Sequence, residues 1–443
     1  MIPALIVTLV FATSCANTPV TGPAKVEVRQ VDGAWRLYRA GEPYYIKGAG
    51  LEFGDIASLA AQGGNSFRTW RTENGRVPGR QILDRAHKHG LTVAMGIEVA
   101  RERHGFDYSD AAAVARQLEN IRAEVLALKD HPALLIWIIG NELNLHATNP
   151  KVWDAVNDIA KMIREVDPNH PTMTALAGIS PELVREIKAR APALDLIGIQ
   201  MYADIINLPR RLRDSGWTGP YIVTEWGATG HWEVPKTAWG APIENDSTTK
   251  ANLYQKRFET VIATDKTQCL GSYVFLWEQK QERTPTWYGV FLESGEKTAA
   301  VDVMHYLWND TWPANRSPHI ESLTLDSRAA TQNIRLQPGE TYSATLIARD
   351  HDDDPLTYKW VLMEESKATS TGGDFEEKPR EFQSNITNPH ASEITLRTPT
   401  EPGAYRLFAY AFDGKGGAAH ANIPFYVERT APTIQPPAPI GNP

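Results

Sequence analysis

Two hydrophobic periodicities divide the chain. Over residues 26–43, "VEVRQVDGAWRLYRAGEP" alternates apolar and polar positions around Asp32-Gly33 and Gly41-Glu42, the pattern of β-hairpins. From there the pattern changes to short runs that are apolar almost throughout. They are "YYIKGAG" (44–50), "GNSFRTW" (64–70), "LTVAMGIEV" (91–99), "ALLIWIIGNE" (133–142), "TMTALAG" (172–178), "LDLIGIQMY" (194–202), "YIVTEWG" (221–227) and "SYVFLWEQ" (272–279). Between them lie stretches such as "GRQILDRAHKHG" and "DAAAVARQLENIRAEVLALKD", whose apolar residues recur every three or four positions as in amphipathic helices. Strands apolar on both faces belong to a parallel sheet covered by helices. Eight of them, with no GxGxxG after the first, fit one (β/α)8 barrel over 44–312 better than an open doubly wound sheet.

From about Ser317 the helical stretches stop. "ESLTLDS", "NIRLQPGETYSATLIARD", "LTYKWVLME", "SEITLRTP" and "GAYRLFAYAFD" read as strands separated by turns, which predicts a small all-β sandwich over 317–428. A sandwich with its own core is expected to be separable from the barrel. The tail over 429–443, "TAPTIQPPAPIGNP" with its preceding residue, is Pro-rich and expected to be extended or disordered.

Length and composition limit what this architecture does. A chain of 443 residues exceeds one ordinary core and suits two or three domains. The net charge of −8, with no basic run, argues against nucleic acid as a partner. The N-terminal "MIPALIVTLVFATSC" (1–15) holds an apolar stretch too short for the ~20 residues that span a bilayer, followed by small residues. It reads as a secretion signal, leading through a spacer into the hairpin segment of 16–43. The run "ATSC" resembles the lipobox of bacterial lipoproteins, which implies acylation of Cys15. The protein is therefore expected to be exported, lipid-anchored and facing the periplasm or the exterior; plain secretion is the other reading. Cys269 reads as a small buried residue. With Cys15 acylated or cleaved away, no disulfide is expected.

The candidate chemistry sits at the ends of two apolar runs. The fourth, "ALLIWIIGNE", stays apolar until Asn141 and Glu142, and the seventh, "YIVTEWG", delivers Glu225 in the same way. In a (β/α)8 barrel the C-terminal strand ends form the active site. Two carboxylates there make the pair that glycoside hydrolysis needs: one protonates the departing oxygen, and the other attacks the anomeric carbon or activates water.

"HPALLIWIIGNELN" and "IVTEWG" resemble the acid/base and nucleophile motifs of the glycoside hydrolase clan A barrels, most closely the family 2 catalytic domain, over about residues 26–310. That likeness implies Glu142 as general acid/base, Glu225 as nucleophile, and a retaining reaction on β-linked oligo- or polysaccharides. It further implies that Arg68 keeps the nucleophile charged and Asn141 binds the sugar 2-hydroxyl. Tyr202 would hydrogen-bond the nucleophile, and Trp277 would stack on the sugar. Glu98, Trp70, Trp226 and Glu278, with Glu52, Gln200 and His146, are further strand-end candidates for substrate binding. Trp232, Trp239 and Trp287 lie in polar loops where sugar stacking and loop packing are both open. No cofactor or catalytic metal is expected. "ARDHDDDPLTYKW" with "AYAFDGKGG" resembles PKD and cadherin-like Ig-type modules. For Asp350, Asp352, Asp353 and Asp354, with Asp413, that likeness leaves a Ca2+ site and a solvated acidic turn both open. A transglycosylase using the same glutamates, and a non-catalytic surface carbohydrate-binding protein, are the alternative functions.

Overall fold

The computed structural model describes residues 22–429. The signal segment with Cys15, most of the spacer and the tail beyond 429 lie outside the described residues.

Eight parallel strands close into a barrel in sequence order. They are β1 (Ile46–Gly50), β2 (Ser66–Arg68), β3 (Thr92–Ile97), β4 (Leu134–Asn141), β5 (Thr172–Ala177), β6 (Leu196–Gln200), β7 (Tyr221–Gly227) and β8 (Cys269–Phe275), with β8 pairing back onto β1. Every residue of β4, β7 and β8 is buried, which explains why those runs carry no polar alternation. The connecting helices are α1 (Ile56–Ala61), α2 (Gly79–Lys88), α3 (Ala111–Leu128), α4 (Lys151–Val166), α5 (Pro181–Arg190), α6 (Leu208–Ser215), α7 (Ser247–Arg257) and α8 (Ala299–Asn309). Asp110, Ser180 and Asp246 begin α3, α5 and α7 by accepting hydrogen bonds from first-turn amides. The apolar stripes of the helices face the main core, as the three- and four-residue spacing predicts.

Most strands are a residue or two shorter than the apolar runs at one or both ends, and the eighth differs most from the sequence reading. β8 starts at Cys269 and ends at Phe275, so Trp277 and Glu278 follow the strand instead of finishing it. Beyond Phe275 the chain leaves the sheet: the Leu276 amide donates to the Tyr288 carbonyl (3.2 Å) and the Val290 amide to the Leu276 carbonyl (3.0 Å).

The N-terminal hairpin, Val26–Val31 with Ala34–Arg39, covers the N-terminal mouth of the barrel. Its amides at Val26 and Trp35 donate to the carbonyls of Asn169 and Thr267, both in loops that enter strands. Val26 and Leu37 pack with Ile46, Leu135, Ile136 and Met173 in the core at that end. The opposite mouth alone is left for chemistry.

After α8 come two four-stranded sheets. One runs β9 (His319–Leu325), β11 (Thr341–Arg349), β14 (Glu393–Arg397), β13 (Ile386–Thr387) across the sheet; the other runs β10 (Arg335–Leu336), β16 (Ala418–Val427), β15 (Gly403–Phe412), β12 (Thr357–Glu364). Leu346, Trp360, Leu396, Leu407 and Phe425 fill the space between them. This sandwich is seated on the barrel. The Glu244 carboxylate, just before α7, accepts from Lys250 (2.5 Å), Thr284 (2.6 Å), Thr286 (2.9 Å) and Asn422 of β16 (2.7 Å). Arg406 of β15 pairs with Glu365 (2.9 Å) and also donates to the Pro242 carbonyl (2.8 Å). All of these side chains are buried.

Candidate active site

At the C-terminal mouth a cavity of about 640 Å3 is bordered by residues from many of the strand ends, from the loops that follow them, and from the sandwich. That volume lies within the roughly 300–1,000 Å3 range of small-molecule sites.

Glu225, near the end of β7, is the centre of its polar network. Its Oε1 accepts from Trp70 Nε1 (3.0 Å), Gln200 Nε2 (2.9 Å) and Arg68 Nη1 (3.2 Å), while Oε2 accepts from Tyr202 Oη (2.9 Å). Four donors, one of them the buried Arg68 guanidinium, hold this carboxylate in one orientation. Arg68, at the end of β2 and fully buried, also donates from Nη2 to Asn141 Oδ1 (2.7 Å). Gln200 Nε2 donates to the same oxygen at 2.7 Å. With Oδ1 taken twice, the Nδ2 end of the Asn141 amide is the end available to a ligand.

Glu142 owes its direction to local backbone. Gly140 (φ 74°) and Glu142 (φ 51°) are both left-handed, and the Glu142 amide donates to the Ala175 carbonyl of β5 (2.8 Å). Glycine is required at 140, because a Cβ there would lie 2.5 Å from Leu143 Cδ1. A left-handed glutamate is costly, and here it turns the carboxyl into the cavity. Burial first, and then the charge of Glu225, push the Glu142 carboxyl up to about 7, with Arg103, Arg68 and Arg101 opposing. Thus one carboxylate is held by donors and the other is left dry and inclined to keep its proton.

Most of the remaining sequence candidates border the cavity: Trp70, Glu98, Glu52, His146, Gln200, Tyr202, Trp232 and Glu278. Glu98 and His146 are exposed there. Glu278 is pushed up to about 7 by burial, and its oxygens accept the amides of Glu52 (3.2 Å) and Phe53 (2.6 Å), so it braces the loop after β1. Trp232, 56% exposed, stands edge-on to Tyr202 at 5.6 Å between ring centres and offers a free aromatic face at the mouth.

Four tryptophans lie elsewhere. Trp226 is fully buried outside the barrel wall against Tyr254 and Phe258, because the residue after inward-facing Glu225 must face outward. Trp277, expected to stack on the sugar, is fully buried behind the wall against Phe291 and Trp308. Neither has a face toward the cavity. Trp287 is buried and donates to the Thr229 carbonyl (2.9 Å), and Trp239 packs on Tyr426 of the sandwich.

The sequence reading missed Phe275, the last residue of β8, whose ring takes the mouth position that had been expected of Trp277. It also missed His231, Glu282, Lys280 and Arg101, which lie in loops with no periodic pattern. Most unexpected are Thr371, Gly372, Gly373 and Asp374, which border the cavity from the sandwich.

In the sandwich, carboxylate oxygens of Asp350, Asp352 and Asp354 lie within 4.8 Å of one another. Lys415 already pairs with Asp354 (2.6 Å). Asp413 does not join them, since its carboxylate accepts from Asn315 and the amides of Lys415 and Gly417. Cys269 is buried, and burial raises its thiol to about 11.

Comparison with known proteins agrees with this architecture. Residues 78–258 match the family described as glycosyl hydrolases family 2, TIM barrel domain. A β-glucuronidase of Bifidobacterium dentium, solved with coumarin-3-O-glucuronide, is 16% identical with a TM-score of 0.51, over 64% of this chain and 49% of that one. A Bacteroides uniformis β-glucuronidase is 14% identical with a TM-score of 0.50, over 91% of this chain and 48% of that one. This chain spans about half the length of both, and at such identity the likeness is one of fold. No curated protein matches the chain.

Proposed function

From a barrel whose residues 78–258 match the family 2 glycosyl hydrolase TIM barrel domain, we propose that this protein is a retaining β-glycoside hydrolase that works by double displacement. Glu142 is the general acid and Glu225 the nucleophile. The observation that carries the reading is the contrast between the two carboxylates. Glu225 is fixed by Arg68, Trp70, Gln200 and Tyr202, whereas Glu142 is half-buried, without a side-chain donor, and its proton is favoured near neutral pH.

In the first step Glu142 protonates the glycosidic oxygen as Glu225 attacks the anomeric carbon, forming a glycosyl ester and releasing the leaving group. Glu142, now a carboxylate, then takes a proton from water as that water breaks the ester, and both groups return to their starting states. The Asn141 amide is placed to bind the sugar 2-hydroxyl, a contact that strengthens as positive charge grows at the anomeric carbon. Trp232 and Phe275 supply aromatic surface for the apolar face of a sugar ring. A carbohydrate-binding protein has no use for a nucleophile held by four donors. That observation favours catalysis over capture.

A panel of 2-deoxy-2-fluoro β-glycosides with good leaving groups tests the assignment. The sugar that fits should inactivate the enzyme and leave one glycosyl unit on the peptide carrying Glu225. Inactivation with the label on another residue would contradict it.

A further inference from the structure

The loop between β12 and the strand-like return at Glu381 leaves the sandwich and comes back to the same place. The Glu364 amide donates to the Arg380 carbonyl (3.0 Å) and the Phe382 amide to the Leu362 carbonyl (2.9 Å), so 365–379 is an excursion from a closed edge. Its base is clamped to the barrel. Buried Glu376 accepts from the Arg283 amide (2.6 Å) and from Ser370 Oγ (2.6 Å), and Arg283 Nη2 donates to the Ser370 carbonyl (2.9 Å).

The tip reaches the cavity. Lys280 Nζ donates to the Gly373 carbonyl (2.7 Å), and Asp374 lies 3.1 Å from His104 and 3.8 Å from Arg103. Gly372 (φ 63°) is pressed onto the proposed acid/base: a Cβ there would be 3.1 Å from Glu142 Oε2, 2.7 Å from Arg103 Nη2 and 3.0 Å from Leu145 Cδ2. Only glycine combines this backbone with this spacing.

We propose that the sandwich completes the active site, its loop tip Thr371–Asp374 forming the wall of the leaving-group side and keeping water from Glu142. The inference rests on Glu142 being the acid/base, since the group that protonates the leaving oxygen marks the leaving-group side of the cavity. A wall there admits a short leaving group and blocks a chain that continues past the cleavage point. The same wall contributes to the burial that favours the protonated carboxyl. Facing Glu142 are the charges of Glu225 from β7, Arg68 from β2, Arg101 and Arg103 from the loop after β3, and Asp374 from the tip. Removing the tip replaces an apolar contact with water while leaving the first four in place, so the carboxyl must become more acidic.

The test compares the wild type with Gly372→Ala and with a protein in which residues 367–378 are replaced by Asn-Gly. Substrates are the 4-nitrophenyl β-glycoside that the wild type cleaves best and a trisaccharide of the same sugar and linkage. In the shortened protein the alkaline limb of kcat/KM should move down by about half a pH unit or more. Its preference for the 4-nitrophenyl glycoside over the trisaccharide should fall by about tenfold, roughly 1.4 kcal/mol. Gly372→Ala, which keeps the loop but forces it off Glu142, should shift the same limb in the same direction, and it carries the test if the shortened protein fails to fold. A folded variant with the wild-type limb and the wild-type preference overturns the inference. A wild type that cleaves no β-glycoside overturns the proposed function itself, and with it the role given to the loop.

Discussion

Each glutamate of the proposed pair is defined by a short list of neighbours, and those neighbours set what a substitution does. Glu142 receives no side-chain donor and lies between Leu145, Arg103 and Gly372. Its value as an acid depends on the basicity of the leaving group. Glu142→Ala should therefore lose about 100- to 10,000-fold in kcat/KM on unactivated glycosides while keeping most of the first-step rate on 2,4-dinitrophenyl glycosides. Added azide should restore turnover and yield a β-glycosyl azide. Chromatography of the azide product checks this; equal loss on all substrates without azide rescue moves the acid role elsewhere. The two glutamates were legible in the sequence because two buried strands of one barrel both end in a carboxylate, and such strand ends share one mouth. Trp226 could have been excluded by the same logic, since adjacent strand residues face opposite sides. Trp277 could not: the parity counted along "SYVFLW" is lost where the chain leaves the sheet after Phe275.

At the scale of elements, the eight strands and the principal helices were legible because their periods differ and their caps are local. The seam between α7 and β16 was not, because it joins polar residues remote in sequence. Its core is a buried Glu244–Lys250 pair with His420 beside it. Burial pulls His420 down to about 3, so it is neutral in the folded protein. Glu244 sits at about 2, because the pull of Lys250 and the donated hydrogen bonds outweigh its burial. For both groups the unfolded chain binds more protons than the native one in the window between the two values. The His420 contribution is thus fully present above about 6.5 and is lost as pH falls toward 3; that of Glu244 is present above about 4.5 and is lost toward 2. The half-buried Glu142 and Glu278, both pushed up by desolvation, act in the opposite sense between 4.5 and 7. Melting temperature against pH, compared between the wild type and His420→Phe, isolates the histidine. The variant should lose less Tm between pH 7 and pH 5. An identical slope in the two proteins would show that His420 is not the sensor.

Across the whole molecule, the cavity is bordered by two cores that the sequence presents as independent. The seam argues against the expectation of a separable barrel: Arg406, Asn422 and His420 of the sandwich hydrogen-bond to α7 and its preceding loop. Without the sandwich Glu244 would lose the Asn422 donor, and the Glu244–Lys250 pair would gain water. A chain truncated at Ser317 should accordingly be insoluble, or should melt at least several degrees lower and hydrolyse small aryl glycosides poorly. Full activity of a soluble truncated barrel would contradict this. The "STGGD" tip that reaches the active site had no signature, because a polar, Gly-rich run reads as linker until its neighbours are known. The proposed stereochemistry rests on the relation of Glu142, just after β4, to Glu225 on β7. Retaining pairs stand roughly 5–5.5 Å apart, which leaves no seat for a water between carboxylate and sugar. Proton NMR of the first-formed product, recorded before mutarotation, tests this most directly. The account predicts that the β-anomer appears first and the α-anomer grows in later; an initial α-anomer would contradict Glu225 as the nucleophile.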